Sequence, residues 1–263
     1  MDYRGAIVDL DGTVYRGDDL VPGAARAVDR LRDAGLALLF FSNNPTKSGD
    51  AYVDRLRGMG LDVHAGEACS AGDVTVAYLR DHHASDRIML VGSPGLHEQF
   101  RAADLTLTTD PAATDVLVGS WSSDFGYDDM LAALRAVDDD TTFLGTDPDR
   151  TVPAEGEEIP GSGAVVGALA ATVGRDPDAV LGKPSEVALE FALERLEVDP
   201  AACLVVGDRL GTDIALGERA GMTTVLVRTG VTDGEEVAGS DVTPDHVLGS
   251  IADIGAVLDD HAE

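Results

Sequence analysis

Ala6-Ile7-Val8-Asp9-Leu10-Asp11-Gly12-Thr13 is the stretch on which the reading of the fold turns. Three apolar residues without alternation suit a short strand buried on both faces, as in a parallel sheet. The strand stops at one aspartate, Asp9, and a second, Asp11, follows beside Gly12. Working outward, a helix is expected over residues 23–34, closed by Gly35, because glycine readily takes the left-handed conformation that ends helices. Leu36-Ala37-Leu38-Leu39-Phe40-Phe41 is a second apolar strand, ending at Ser42-Asn43-Asn44. Helices follow over 48–59, closed by Gly60, and over 71–83, where Ser70 or Asp73 is placed to cap. Far along the chain the pattern resumes. A helix over 185–196 leads to Cys203-Leu204-Val205-Val206, a strand ending at Gly207-Asp208. A helix over 214–220, the strand Thr224-Val225-Leu226-Val227 and a closing strand end and helix over 246–261 complete it. Strands alternating with helices define an α/β chain with a mainly parallel sheet.

Ligands of open α/β sheets bind outside the carboxyl ends of the strands. Here those ends carry Asp9 and Asp11, Ser42-Asn43-Asn44, and Gly207-Asp208-Arg209-Leu210-Gly211-Thr212-Asp213; Gly182-Lys183-Pro184-Ser185 stands just before a helix. A parallel sheet gathers such ends on one edge, so distant clusters can form one site. Carboxylates from Asp9, Asp11, Asp208 and Asp213 would repel strongly without a cation among them, and hard oxygen ligands suit Mg²⁺. Ser42, the Asn43 backbone N–H and Lys183 offer donors and a positive charge that match phosphoryl oxygens. A carboxylate nucleophile would split a hard hydrolysis into two easier steps. The parts fit phosphoryl transfer.

These motifs resemble the haloacid dehalogenase superfamily, in the branch of NagD, the p-nitrophenyl phosphatases and phosphoglycolate phosphatase. D-L-D-G-T-V-Y-R-G is similar to its motif I, F-F-S-N-N-P-T-K-S to motif II, G-K-P-S to motif III and V-G-D-R-L-G-T-D-I to motif IV, in order along nearly the whole chain. The resemblance implies a doubly wound, Rossmann-like parallel-sheet core and a Mg²⁺-dependent phosphomonoester hydrolase. Asp9 would be nucleophile and metal ligand; Asp11 would be general acid and base, its carbonyl ligating the metal. Ser42 and Asn43 would hold phosphoryl oxygens, Lys183 would bridge nucleophile and phosphate, and Asp208 would ligate the metal. Asp213 would be a ligand or a partner behind the ligands. Asp11 favours ester hydrolysis, since relatives that need not protonate an alkoxide lack it. Transfer of the phosphoryl group to another alcohol, or a non-catalytic regulatory role, are the alternatives.

The resemblance also places a smaller α/β cap at residues 87–175, inserted into a catalytic core of residues 1–86 and 176–263. Such a cap excludes water and chooses the leaving group, and in this family caps often mediate dimers, so a homodimer is an expectation. Within the insert, strands are read at 88–91, 116–118 and 142–144, helices at 94–102, 127–137 and 163–173, and a loop rich in acids and proline at 151–160. Gly145-Thr146-Asp147-Pro148-Asp149-Arg150 matches a substrate-facing loop in which relatives carry T-N-P-D, which makes Asp147 and Asp149 substrate-binding candidates. Gly161-Ser162-Gly163 is close to the family's P-G-x-G turn. The run 119–127 departs from the family and holds the only tryptophan; Trp121 either lines the substrate pocket or packs within the cap.

Composition bounds the rest. The 263 residues are 44% apolar, which supports a folded core. Acids outnumber bases 48 to 19, for a formal charge of −29, with 35 aspartates, 17 arginines and only two lysines, Lys47 and Lys183. Such charge repels itself unless salt screens it, so adaptation to a very salty cytoplasm is expected. It also argues against nucleic acid and anionic membranes as partners, leaving a small phosphorylated metabolite. Lys183 falls in a motif; Lys47 either borders the site or is a plain surface lysine at a helix start. No apolar run is long enough to span a membrane and no signal peptide is visible, which points to a cytoplasmic protein. Cys69 and Cys203 have neither C-x-x-C nor zinc spacing and read as small core residues.

Overall fold

The structure, a computed structural model, describes residues 3–154, 157–232 and 239–259. It divides into two compact units. The first takes in the described residues of Met1–Ser42, Gly49–Cys69 and Ala188–Glu263; the second takes in Asn43–Ser48 and Ser70–Val187. The segments 70–86 and 176–187, which the sequence reading assigns to the core, therefore fall in the second unit, as does the short loop after Ser42.

The strands, in chain order, are β1 (Gly5–Val8), β2 (Tyr15–Arg16), β3 (Asp19–Leu20), β4 (Ala37–Ser42), β5 (Ala68–Ser70), β6 (Arg87–Val91), β7 (Thr106–Leu107), β8 (Val116–Gly119), β9 (Thr142–Gly145), β10 (Thr151–Ala154), β11 (Glu157–Pro160), β12 (Ala179–Val180), β13 (Cys203–Gly207), β14 (Thr223–Val227) and β15 (His246–Leu248). The helices are α1 (Ala24–Asp33), α2 (Gly49–Gly58), α3 (Ala71–His82), α4 (Pro94–Ala102), α5 (Tyr127–Ala136), α6 (Ser162–Val173), α7 (Glu186–Leu196), α8 (Ala215–Ala220) and α9 (Gly255–Asp259).

The first unit is built on a six-stranded sheet in the order β15-β14-β13-β1-β4-β5. The pairs around β1 and β13 are parallel. From β1 the chain walks one way through β4 to β5, then resumes on the other side of β1 at β13. The order therefore reverses between β1 and β13, where open α/β sheets leave a crevice. The central strands are buried on both faces, as their unbroken apolar runs require. One face packs under α1 and α2 through Val28, Leu31, Val53 and Leu56.

The second unit carries a five-stranded sheet in the order β12-β9-β8-β6-β7, again parallel at its pairs. Met89, Val91, Leu117 and Phe143 of this sheet pack with Ala133 and Ala136 of α5 and Val165, Val166 and Leu169 of α6. The α3 start uses both expected residues: Ser70 and Asp73 form a reciprocal capping box that satisfies two orphan N–H groups.

Two expectations are corrected. Residues 151–154 and 157–160, expected in a loop, are strands: β10 and β11 pair antiparallel, with Val152 opposite Ile159. Pro153 and Pro160 are tolerated because a two-stranded ribbon leaves outward-facing positions that need no N–H donor. The expected helix start at Ile214 also shifts: Leu210–Ile214 is a single wide π turn, and α8 begins at Ala215. The closing helix expected to reach residue 261 is seen as α9, and its last residues lie outside the described ones.

Candidate active site

The site of the first unit starts from strand register. Val8 lies opposite Val206, and the Asp9 N–H donates to the Val206 carbonyl at 2.8 Å. That bond sets Asp9 at the carboxyl end of β1 beside the end of β13, whose next residue is Asp208. The π turn then brings Asp213 back, its carboxylate accepting from the Arg209 N–H at 3.1 Å. One carboxylate oxygen from each of Asp9, Asp208 and Asp213 lies within 4.8 Å of the others, and all three residues are buried. Missing side chains make the space. A Cβ on Gly230 would stand 1.6 Å from Asp208 Oδ2, and one on Gly207 would stand 2.2 Å from the Asp213 carboxyl carbon. Gly12, at φ +87°, would meet Asp208 Oδ2 at 2.5 Å. Asp208 Oδ2 is further fixed by the Val231 N–H at 2.8 Å.

Three buried carboxylates this close repel one another, and their oxygens are acceptors only. A hard divalent cation is the partner such a donor set suits, and Mg²⁺ fits its all-oxygen chemistry.

Asp11 faces another partner. Its Oδ2 accepts from the Tyr15 hydroxyl at 3.2 Å. Tyr15 is 1% exposed, and the Arg55 guanidinium of α2 lies 4.6 Å from its ring centroid. Ser42, at the end of β4, places its hydroxyl 3.4 Å from the Tyr52 hydroxyl, also on α2. Burial above all, and then the negative Asp11, push the Tyr15 hydroxyl well above the usual phenol range. Tyr52 moves the same way, chiefly through burial, with the Ser42 hydrogen bond opposing. Both phenols therefore remain protonated donors.

The second unit holds the other motif residues. The Asn43 side-chain amide clamps the backbone of Lys183: Nδ2 donates to the Lys183 carbonyl at 3.1 Å, and Oδ1 accepts its N–H at 2.8 Å. Both residues are buried. Gly182 permits the clamp, since a Cβ there would stand 2.8 Å from Asn43 Oδ1 and 2.9 Å from the Asp147 Cβ. Asp147 is 2% exposed; Thr146 Oγ1 lies 3.0 Å from its Oδ2, and the Asp149 N–H donates to Oδ1 at 3.2 Å. Thr146 is bonded in turn to Ser120. Gly161 and Gly163 let the start of α6 lie against the carbonyls of Asp149 and Pro148. The Trp121 N–H donates to Ser162 Oγ at 3.2 Å; Trp121 and Asp149 are half-buried, and Lys47 is exposed.

Of the residues singled out from sequence, Asp9, Asp208 and Asp213 share one cluster, with Asp213 a full member of it. Among the described residues the Asp11 carboxylate is not part of that triple; it turns to Tyr15. Asn43 and Lys183 are paired in the second unit. Sequence reasoning passed over Tyr15, Tyr52, Arg55 and Gly230. Tyr15 stood inside the quoted D-L-D-G-T-V-Y run, and Tyr52 and Arg55 sit three apart on one helix face, which was the available signal.

Comparison with known proteins identifies the family. The model of the haloacid dehalogenase-like hydrolase family matches residues 6–106, and a HAD-hydrolase-like model matches residues 180–254. An acid sugar phosphatase of Staphylococcus haemolyticus is 32% identical over 242 residues, spanning 92% of this chain and 91% of its own. The chain belongs to the haloacid dehalogenase-like hydrolases. Among solved structures of this family, the p-nitrophenyl phosphatase from Archaeoglobus fulgidus superposes with a TM-score of 0.91 at 35% identity, covering 98% of this chain and 100% of that one. NagD from E. coli K-12 gives 0.85 at 28% identity, covering 97% and 99%. A glycerol phosphate phosphatase from Mycobacterium tuberculosis, solved in complex with magnesium, gives 0.84 at 27% identity, covering 95% of this chain and 75% of that one. In this haloacid dehalogenase-like hydrolase no described helix is long and apolar enough to cross a membrane.

Proposed function

We propose that this hydrolase cleaves small soluble phosphomonoesters, with sugar phosphates foremost, through an aspartyl-phosphate on Asp9. The observation that carries the reading is the buried cluster of Asp9, Asp208 and Asp213 at the reversal of strand order, with Asp11 held two residues from Asp9. Relatives named as sugar, nitrophenyl and glycerol phosphate phosphatases support the substrate class.

Asp9 attacks phosphorus, and the bond from phosphorus to the ester oxygen breaks. Asp11 gives its proton to the departing alkoxide. Asp11, now a carboxylate, takes a proton from water as that water attacks the phosphoryl group; inorganic phosphate leaves and Asp9 is restored. Ser42, Asn43 and Lys183 are assigned to the phosphoryl oxygens by the family motifs. Asp9, Asp208 and Asp213, with the Asp11 carbonyl, would hold Mg²⁺, which supplies charge neutralisation for the phosphoryl group. In the second unit, Trp121 and Asp149 are the half-buried residues proposed to meet the leaving group.

The test is phosphate release from a panel of esters, including p-nitrophenyl phosphate and hexose phosphates, in concentrated KCl with Mg²⁺ or with chelator. Release that depends on Mg²⁺ and is strongest on a sugar phosphate is expected. A folded protein that releases no phosphate from any ester would overturn the reading.

A further inference from the structure

We propose that Tyr15 is a positioning residue for the acid, holding Asp11 by Oδ2 so that the transferable proton resides on Oδ1. The inference rests on the assignment of Asp11 as general acid made above and deepens it. A free aspartic acid side chain turns about its last torsion and can present its proton from either oxygen, so an unanchored acid loses much of the benefit of orientation.

The anchor is built from several directions. The Tyr15 N–H donates to the Leu10 carbonyl at 3.2 Å, and the Gly12 N–H donates to the Tyr15 carbonyl at 2.8 Å, which folds residues 10–15 into a closed loop around Asp11. Gly12 allows that loop through its positive φ of 87°. The Tyr15 ring is buried, and Arg55 covers one face of it. Arg55 is itself fixed across the β2–β3 hairpin, donating to the Gly17 carbonyl at 2.6 Å and lying 3.3 Å from the Asp18 carboxylate. The hydroxyl that reaches Asp11 Oδ2 at 3.2 Å is thus held by its ring and its backbone.

A phenol has one hydrogen. Donated to Oδ2, it leaves that oxygen as the carbonyl of the acid and places the acid's own hydrogen on Oδ1. As the ester bond breaks, the Oδ1 hydrogen passes to the leaving oxygen and its bonding pair stays on the carboxylate. The Tyr15 hydrogen bond becomes charge-assisted at that moment and strengthens, so it favours the transition state over the bound substrate.

The experiment compares kcat/KM, which reports steps only through formation of the aspartyl-phosphate, for two probes. An alkyl phosphate needs a proton to leave; p-nitrophenyl phosphate does not. Tyr15→Phe keeps the ring and is expected to lower kcat/KM on the alkyl ester by about tenfold while changing p-nitrophenyl phosphate by less than about twofold. An equal fall on both esters, or no fall on either, overturns the inference. Arg55→Gln loosens the ring without removing the hydroxyl and is expected to give a smaller effect of the same selectivity. It decides the matter if Tyr15→Phe fails to fold, and an equal effect on both esters would then count against the anchor. Asp11→Asn separates the two levels. If it abolishes alkyl-ester turnover while Tyr15→Phe is silent, only the anchor falls. If it spares the alkyl ester, the acid assignment falls and the anchor with it.

Discussion

Asp147 lies where almost no water reaches its carboxyl. Burial, with the Asp149 carboxylate nearby, pushes it up from 3.8 to about 8, against hydrogen bonds that favour the charged form. An acid whose folded pKa is raised holds its proton more tightly when folded. Its cost to stability is therefore absent below the unfolded pKa, grows as pH rises through the window between those values, and is constant above it. Asp147→Asn, which restores the family's T-N-P-D, should remove that cost. Its melting temperature relative to the parent is expected to be higher by only a little at about pH 4.5, just above the unfolded value, and by several degrees more at about pH 8.5. Melts at the two pH values check this, and an equal difference at both would count against a neutral buried acid. The sequence named Asp147 as a candidate but said nothing of its burial, because burial depends on Gly182 and the start of α6, which lie 35 and 15 positions away. Asp213 was legible as an acid near the site, but its full place in the cluster needed the π turn, which no side-chain pattern announces.

At the scale of elements, the reversal of strand order between β1 and β13 is where the Asp9, Asp208 and Asp213 cluster forms, and glycines leave room for it. Gly230→Ala would drive a methyl group into Asp208 Oδ2. The expected result is a folded protein with activity reduced about a hundredfold or more and a weakened Mg²⁺ requirement curve, since ligands displaced by about 1 Å lose their geometry. Circular dichroism with a Mg²⁺ titration of activity checks it; wild-type Mg²⁺ dependence would contradict the assigned role of Asp208. Elsewhere, Ser70→Ala removes the α3 capping box and should cost about 1 kcal/mol; an unchanged denaturation midpoint would show the cap to be redundant. Long apolar strands and glycine-closed helices were readable because burial on both faces and left-handed caps leave unambiguous residues. The β2–β3 and β10–β11 ribbons were not. They are two to four residues long and carry charge and proline, too short to show an apolar period.

At the scale of the molecule, the charge of −29 is the dominant physical fact. Ion pairs such as Arg30–Asp259 and Arg87–Asp115 are solvent-exposed and contribute little against it. The remaining repulsion is long-ranged and screened by salt. We therefore expect the melting temperature to rise by about 10 °C or more between ~0.1 M and ~3 M KCl; a flat profile would defeat the inference of adaptation to high salt. Charge composition was fully legible from sequence.

The central claim is chemical, that Asp9 carries the phosphoryl group. The most direct measurement is rapid acid quenching during the first turnover of p-nitrophenyl phosphate with Mg²⁺ in concentrated KCl, followed by peptide mass mapping. The account predicts an adduct of about 80 Da on the peptide containing Asp9, enriched in Asp11→Asn and absent in Asp9→Asn, which should also lack turnover. Turnover by Asp9→Asn, or an adduct on another residue, would contradict it.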